Sequence, residues 1–391
     1  MNGRTVTLKA QRFHFDPVLV AVTVSLLFIG YVMVASSSLH LGVEQKQDSL
    51  YYPVRQLAHI FLGLTLALGI ARVPMESWEK IGSGLFIGGL FLLVIVLIPG
   101  LGVKVNGSIR WLSLGGIRIQ VSEVVKFFSV IYMAGYVTRH RDNLQGSAYG
   151  IIKPLLLFSV ACVLLLLEPD FGSAVVILMI AMGVMFLGGA RLKQFIILLA
   201  LVVALATSLV IVAPYRMARV LSFLNPFDDY LKSGYQLSQA LISFGRGEVL
   251  GVGLGSGIQK LFYLPEAHTD FLFSVIGEEL GLLGVITVIA LYALLIWRAF
   301  TVAVAAEQAG QQFSAYIAYG LGIWLGFQSF VNMGVNMGIL PTKGLTLPLM
   351  SYGGSSMMVM CCAFALLFRV HSETAALNVQ TPQARSKWAS A

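Results

Sequence analysis

The sequence predicts an all-α polytopic membrane protein. Only 44 of its 391 residues are charged, 26 basic and 18 acidic. That is 11%, against about 25% in an average soluble domain, too few to cover a soluble surface of this size. Hydrophobic residues make up 57% of the chain, and the mean hydropathy is +0.84. The apolar residues fall in unbroken runs such as Phe86–Ile98 and Phe195–Val212, not in the alternation of a membrane β-barrel. These observations exclude a soluble cytoplasmic enzyme, a disordered chain and a nucleic-acid-binding module. One span takes about 20 apolar residues, so the composition accommodates about ten.

The ten spans run roughly over 16–36, 54–71, 81–99, 121–137, 151–167, 173–188, 192–213, 271–297, 314–337 and 351–369. The first follows Arg4, Lys9 and Arg12. Its apolar run is longer than a typical cleavable signal core, so it reads as an uncleaved span. The chain then divides into a cytoplasmic N-terminal segment 1–15, a transmembrane domain 16–369, and a polar cytoplasmic tail 370–391 expected to be disordered. Basic residues at Arg72, Lys80, Arg139, Arg141, Arg191, Lys193 and Arg298 place the intervening short segments on the cytoplasmic side. The net charge of +8 then reflects orientation, with no nucleic-acid partner. Cys162, Cys361 and Cys362 lie in apolar runs without metal-ligand spacing and read as packing residues.

Residues 214–270 form a large outer loop between the seventh and eighth spans. Leu237, Leu241 and Phe244 recur at i, i+4, i+7, the pattern of a short amphipathic helix, one that can lie in the membrane interface. Gly245, Gly247, Gly251, Gly253, Gly255 and Gly257 follow, without the endings of a nucleotide-binding loop. The simpler reading is a flexible connector. The other is a backbone N–H surface for an anion, helped by Arg246 and Lys260.

Charges near membrane depth are candidates for function. Glu123 and Lys126 share a helix face at i, i+3, as a structural pair or as substrate contacts. Glu168 and Asp170 flank Pro169, where a helix cap is the simpler role. Glu278 and Glu279 lie within the eighth span, so one should face a polar cavity or a basic partner. Lys343, between Pro341 and Pro348, suits a phosphate or an interfacial position. Trp111, beside Arg110, suits an interfacial anchor. His268, Thr269 and Asp270 close the large loop. Thr269 or Asp270 can cap the next helix, or Asp270 can serve as a general base.

Leu264-Pro265-Glu266-Ala267-His268-Thr269-Asp270-Phe271, then Ile276-Gly277-Glu278-Glu279-Leu280-Gly281, resembles the SEDS family of cell-wall polymerases. So do Asn225-Pro226-Phe227, Ser351-Tyr352-Gly353-Gly354-Ser355-Ser356, and the stretch from Arg110-Trp111 through Gln120, Glu123 and Lys126. Pro341-Thr342-Lys343-Gly344-Leu345-Thr346-Leu347-Pro348 is closer to the division branch of that family than to its elongation branch. The chain departs from the common pattern at Glu168 and Phe171, where many members carry Gln and Leu, and at Val121.

The resemblance implies a peptidoglycan glycosyltransferase polymerising lipid II in septal cell-wall synthesis at the bacterial inner membrane, with both termini cytoplasmic. It maps the essential aspartate onto Asp270 as general base. Lys343, Arg110, Lys126, Glu123 and His268 are the candidate substrate-binding residues. The resemblance also implies a division-specific class B penicillin-binding protein (FtsI type) and other divisome proteins as partners. It leaves a divalent cation, Mg or Mn, open as cofactor, with no residue assigned to it. Two rival readings remain: a lipid II flippase, which needs charges along a central path, and a non-catalytic divisome scaffold.

Overall fold

The computed structural model describes residues 13–105, 108–115, 117–146, 149–228 and 234–380. Arg4, Lys9 and Arg12 lie outside them, as do residues 381–391 of the expected tail. Three helices lead: α1 (Pro17–Lys46), α2 (Tyr51–Arg72) and α3 (Met75–Leu97). Strands β1 (Gly102–Val105), β2 (Ser108–Leu114) and β3 (Ile117–Gln120) follow. Next come α4 (Val121–Arg139), α5 (Arg141–Gly146), α6 (Tyr149–Leu167), α7 (Phe171–Leu187) and α8 (Leu192–Val212). Then come α9 (Pro214–Leu224), α10 (Tyr235–Gly247), α11 (Leu272–Gln308), α12 (Gln312–Asn336) and α13 (Gly354–Gln380).

Each expected span falls on a helix. Eight of these are long and apolar enough to cross a membrane, and α7 is a shorter apolar helix. The chain is therefore a multi-pass α-helical membrane protein. α12 is long enough but more polar, because it is central: Gln328, Ser329, Asn332 and Asn336 are all buried along it. It packs between α11, α4, α7 and α13. α8 has no buried residue along its length.

One end of the bundle gathers both described chain ends. Asp16 caps α1 by accepting from Val18 N (3.0 Å) and Leu19 N (3.1 Å), and it pairs with Arg298 of α11. His14 N donates to Ser372 Oγ at 3.0 Å. The expected tail does not begin at residue 370. α13 continues to Gln380, stapled by Arg369–Glu373 (2.7 Å, i, i+4) and by Thr374 Oγ1 donating to Gln311 Oε1 (2.8 Å).

The opposite end carries an unexpected antiparallel sheet, order β1-β2-β3. Leu112 sits opposite both Gly102 and Ile119, and Trp111 opposite Gln120, so the sheet delivers the chain straight into α4.

The expected amphipathic helix exists as α10. Its apolar side docks on α11, with Leu237 buried and the Phe244 ring 5.8 Å from that of Phe273. The glycine-rich run after it is neither a slack connector nor an open anion site. Inside α11, Gly281 has φ 64° and ψ −161°, which breaks the helix. The break strands backbone groups, and the run satisfies them. Val252 N donates to Glu278 O (3.0 Å) and Gly253 N to Glu279 O (3.1 Å). In return Leu282 N donates to Glu248 O (3.0 Å) and Leu283 N to Val249 O (3.2 Å). The anions held are the chain's own. Glu278 accepts from Arg246 Nη1 (2.7 Å) and Ile258 N (2.9 Å). Glu279 accepts from Lys260 Nζ (2.5 Å), Ser36 Oγ (2.7 Å) and Gly255 N (3.0 Å). Both buried glutamates thus have the basic partner their position in the span demands.

Candidate active site

A cavity of about 1640 Å³ opens at the sheet end. Its wall takes residues from the end of α1, the start of α2, β2 and β3, the first turn of α4, the α6–α7 turn, and segments 266–271, 342–346 and 352–356. Among the described lining residues are six cationic side chains, Lys46, Arg55, Arg110, Arg118, Arg219 and Lys343. Four carboxylates face them: Glu123, Asp170, Glu266 and Asp270. A cationic excess in a concave wall favours an anionic ligand. Below the charged rim the cavity runs down α2 past Ala58 to Leu62.

Asp270 lies just before α11, half-buried in the wall. The N-cap of α11 is Phe271, with no side-chain cap bond. Thr269 Oγ1 is turned to Glu266 Oε2 at 2.8 Å. Neither residue caps the helix, and among the described residues the Asp270 carboxylate makes no hydrogen bond. Burial, then the neighbouring Glu266 carboxylate, pushes its pKa up to about 7, with Arg110 and Arg219 pulling the other way. A carboxylate near neutrality is suited to taking a proton.

Of the residues expected from the sequence, Lys343, Arg110, Glu123, His268 and Asp270 all line this cavity. Lys343 Nζ sits 4.3 Å from the centre of the Phe171 ring, a cation–π contact. Arg110 donates from Nε to Glu168 O (3.1 Å) and from Nη2 to Pro169 O (2.6 Å), tying β2 to the α6–α7 turn. His268 packs in a triangle of rings with Tyr52 (5.3 Å) and Tyr352 (5.4 Å), which also touch each other, and burial lowers its pKa. Trp111 lines the cavity too.

Lys126 is placed differently. It is fully buried under Glu123, donating to Glu123 Oε1 (2.7 Å) and to Gln328 Oε1 (3.0 Å) of α12. It anchors Glu123 and does not itself reach the cavity wall. Asp170 caps α7 by accepting from Ser173 N at 3.2 Å. Glu168 is buried with both carboxylate oxygens unsatisfied, and burial, then Asp170, pushes its pKa up to about 8.

Sequence reasoning missed three residues at the site. A Cβ on Gly344 would lie 2.9 Å from Asp270 Oδ2. Asn332 and Asn336 of α12 both donate from Nδ2 to Asp270 O, at 2.9 and 3.0 Å. The signal for the pair was present: Asn332-Met333-Gly334 repeats as Asn336-Met337-Gly338, two amides one turn apart inside a span.

Residues 17–376 match the family FTSW_RODA_SPOVE, described as cell cycle protein. The chain belongs to this family. It is 65% identical to a probable peptidoglycan glycosyltransferase FtsW of Methylomonas methanica, over 97% of each chain. It is 59% identical to one of the same name from Methylococcus capsulatus, over 96% of this chain and 95% of that one. A solved chain from work on the structural coordination of polymerization and crosslinking by a peptidoglycan synthase complex superimposes with TM-score 0.75. That chain shares 29% identity, over 92% of this chain and 98% of its own. The rod shape determining protein RodA of Thermus thermophilus does so with TM-score 0.67 at 27% identity, over 92% and 97%.

A divalent cation finds no ligand set of its own here. Among the described residues no group of three or more His, Cys, Asp or Glu is placed to hold one.

Proposed function

We propose that this chain polymerises lipid II into glycan strands, with Asp270 as general base. The observation that carries the reading is the Asp270 carboxylate: free of hydrogen bonds among the described residues, held near neutral pKa, and set in a cavity wall rich in cations. In the reaction the C4 hydroxyl of a GlcNAc acceptor attacks the anomeric carbon of a lipid-linked MurNAc donor. Asp270 takes the hydroxyl proton as the new C–O bond forms. The bond to undecaprenyl pyrophosphate breaks with inversion, and the leaving group departs with the electron pair. Lys343 and Arg110 offset its developing charge. Glu123, held by Lys126, and His268 contact the sugars.

The cavity's form suits such a substrate. Its charged rim takes pyrophosphate and sugars, while its extension along α2 takes the start of the lipid. With the sheet end outside and both termini cytoplasmic, the cavity opens on the outer face of the inner membrane. At the division septum the partners are a class B penicillin-binding protein of the FtsI type and other divisome proteins. A flippase path through the bundle centre has less support, because Lys126, Gln328 and Trp324 close the α4–α12 seam without solvent exposure.

The test is polymerisation of purified lipid II by the full chain with its partner transpeptidase. Asp270→Asn should abolish glycan strands while the protein stays folded. Strand formation near the wild-type rate would overturn the reading. Transport of lipid II in proteoliposomes without polymer would establish the flippase instead.

A further inference from the structure

The helix that follows Asp270 is capped from outside. α11 begins without a cap from its own side chains, so its first amides need another acceptor. Asn336 Oδ1 supplies one, accepting from Ser274 Oγ (2.8 Å) and from Ser274 N (3.0 Å), which it shares with Phe271 O (3.1 Å). An aspartate or threonine at a helix start would ordinarily do this itself. Here the task has moved to α12.

The same two asparagines hold the backbone around the site. A primary amide has two N–H donors. Asn332 spends both on carbonyls from different segments, Asp270 O at 2.9 Å and Leu345 O at 2.6 Å. Asn336 Nδ2 donates to Asp270 O (3.0 Å) and back to Asn332 O (2.8 Å). Asn332 is 1% exposed and Asn336 is fully buried, so neither reaches the cavity. Leu345 follows Gly344, which lies against the Asp270 carboxylate, and Lys343 precedes it. One side chain therefore fixes the aspartate segment and the lysine segment relative to each other.

We propose that Asn332 and Asn336 are positioning residues for glycosyl transfer. By capping α11 and clamping the Asp270 and Leu345 carbonyls, they free the Asp270 carboxylate and hold it against the backbone at Gly344. The inference rests on Asp270 being the base. A misplacement of the base by about 1 Å can cost on the order of a hundredfold in rate, so a rigid bracket has catalytic value that burial alone does not provide.

The test uses the full chain with its partner transpeptidase and lipid II, comparing Asn332→Asp, Asn332→Ser and Asn336→Ala with wild type. Melting in detergent checks the fold. Each folded variant should lose about tenfold or more in kcat, with KM changed by less than about twofold, as for an interaction made in the transition state. Asn332→Asp should also move the acidic limb of the kcat–pH profile to higher pH, because a second carboxylate beside Asp270 raises its pKa. If Asn332→Asp does not fold, the uncharged Asn332→Ser is judged by the same kcat–KM split. Folded variants with wild-type kcat, or losses that merely track lowered melting, overturn the positioning role. If Asp270→Asn is itself active in the same assay, the failure lies with the reading of the base.

Discussion

Gly344 is packed so closely on Asp270 that a single methyl group at its Cα would meet Oδ2 at 2.9 Å. The carboxylate is thus bounded on one side by backbone. Gly344→Ala should push it out of register and cut polymerisation by on the order of ten- to a hundredfold. Melting should be nearly unchanged, since the cavity can absorb the shift. Lipid II polymerisation measured beside a thermal melt checks this.

The raised pKa of Asp270 has a sign that can be read in two ways. Activity needs the ionised form, so kcat/KM should climb as pH rises through about 7. Stability moves oppositely. The folded state binds a proton that the unfolded state, at the ordinary value of 3.8, has already released. Stability is therefore lost as pH rises from about 4 through about 7. Asp270→Asn should melt higher than wild type at pH 8 and match it near pH 4.

Glu168 obeys the same linkage with a pKa of about 8. It is uncharged at neutral pH, as a glutamine would be. Glu168→Gln should leave polymerisation at pH 7 intact and raise the melting temperature at pH 9. A large loss of activity at pH 7 would show that its acid proton takes part in the reaction.

Phe171 carries the Lys343 ammonium on its ring. Such a contact is worth about 0.5–1 kcal/mol when partly exposed. Phe171→Leu should therefore raise KM for lipid II by about two- to fivefold, and Phe171→Tyr should restore it. Steady-state kinetics on the three proteins decides.

Lys260 neutralises Glu279 where both are almost wholly buried. Removing one partner of a buried pair costs about 3–5 kcal/mol. Lys260→Met should lower melting sharply, and the double variant with Glu279→Gln should recover part of it, because no buried charge is then left alone.

The spans were legible because each apolar run exceeds what a buried soluble helix needs, whereas the residues around Asp270 left a helix cap and a general base equally open, and only the family resemblance singled it out. The sheet was not. Its strands are four to seven residues long, too short for alternation to stand out beside twenty-residue runs. Lys126 shows a second limit. The i, i+3 spacing correctly joined it to Glu123, but which of the two faces the cavity depends on Gln328 and Trp324 arriving from α12. The break at Gly281 was hidden because its cause is the loop 248–253, whose amides reach the freed carbonyls only in three dimensions.

α1 and α11 are joined near both ends. Asp16 meets Arg298 at one, and Ser36 meets Glu279 at the other. The anchor points lie 20 residues apart on α1 and 19 on α11, the second interval crossing the break at Gly281 near its start. At 1.5 Å per residue that is about 30 Å on each helix, the thickness of a bilayer's hydrocarbon core. The two antiparallel helices therefore act as a gauge of fixed length with polar stops. Sliding either by one turn would drag a buried charge into oil at both stops together.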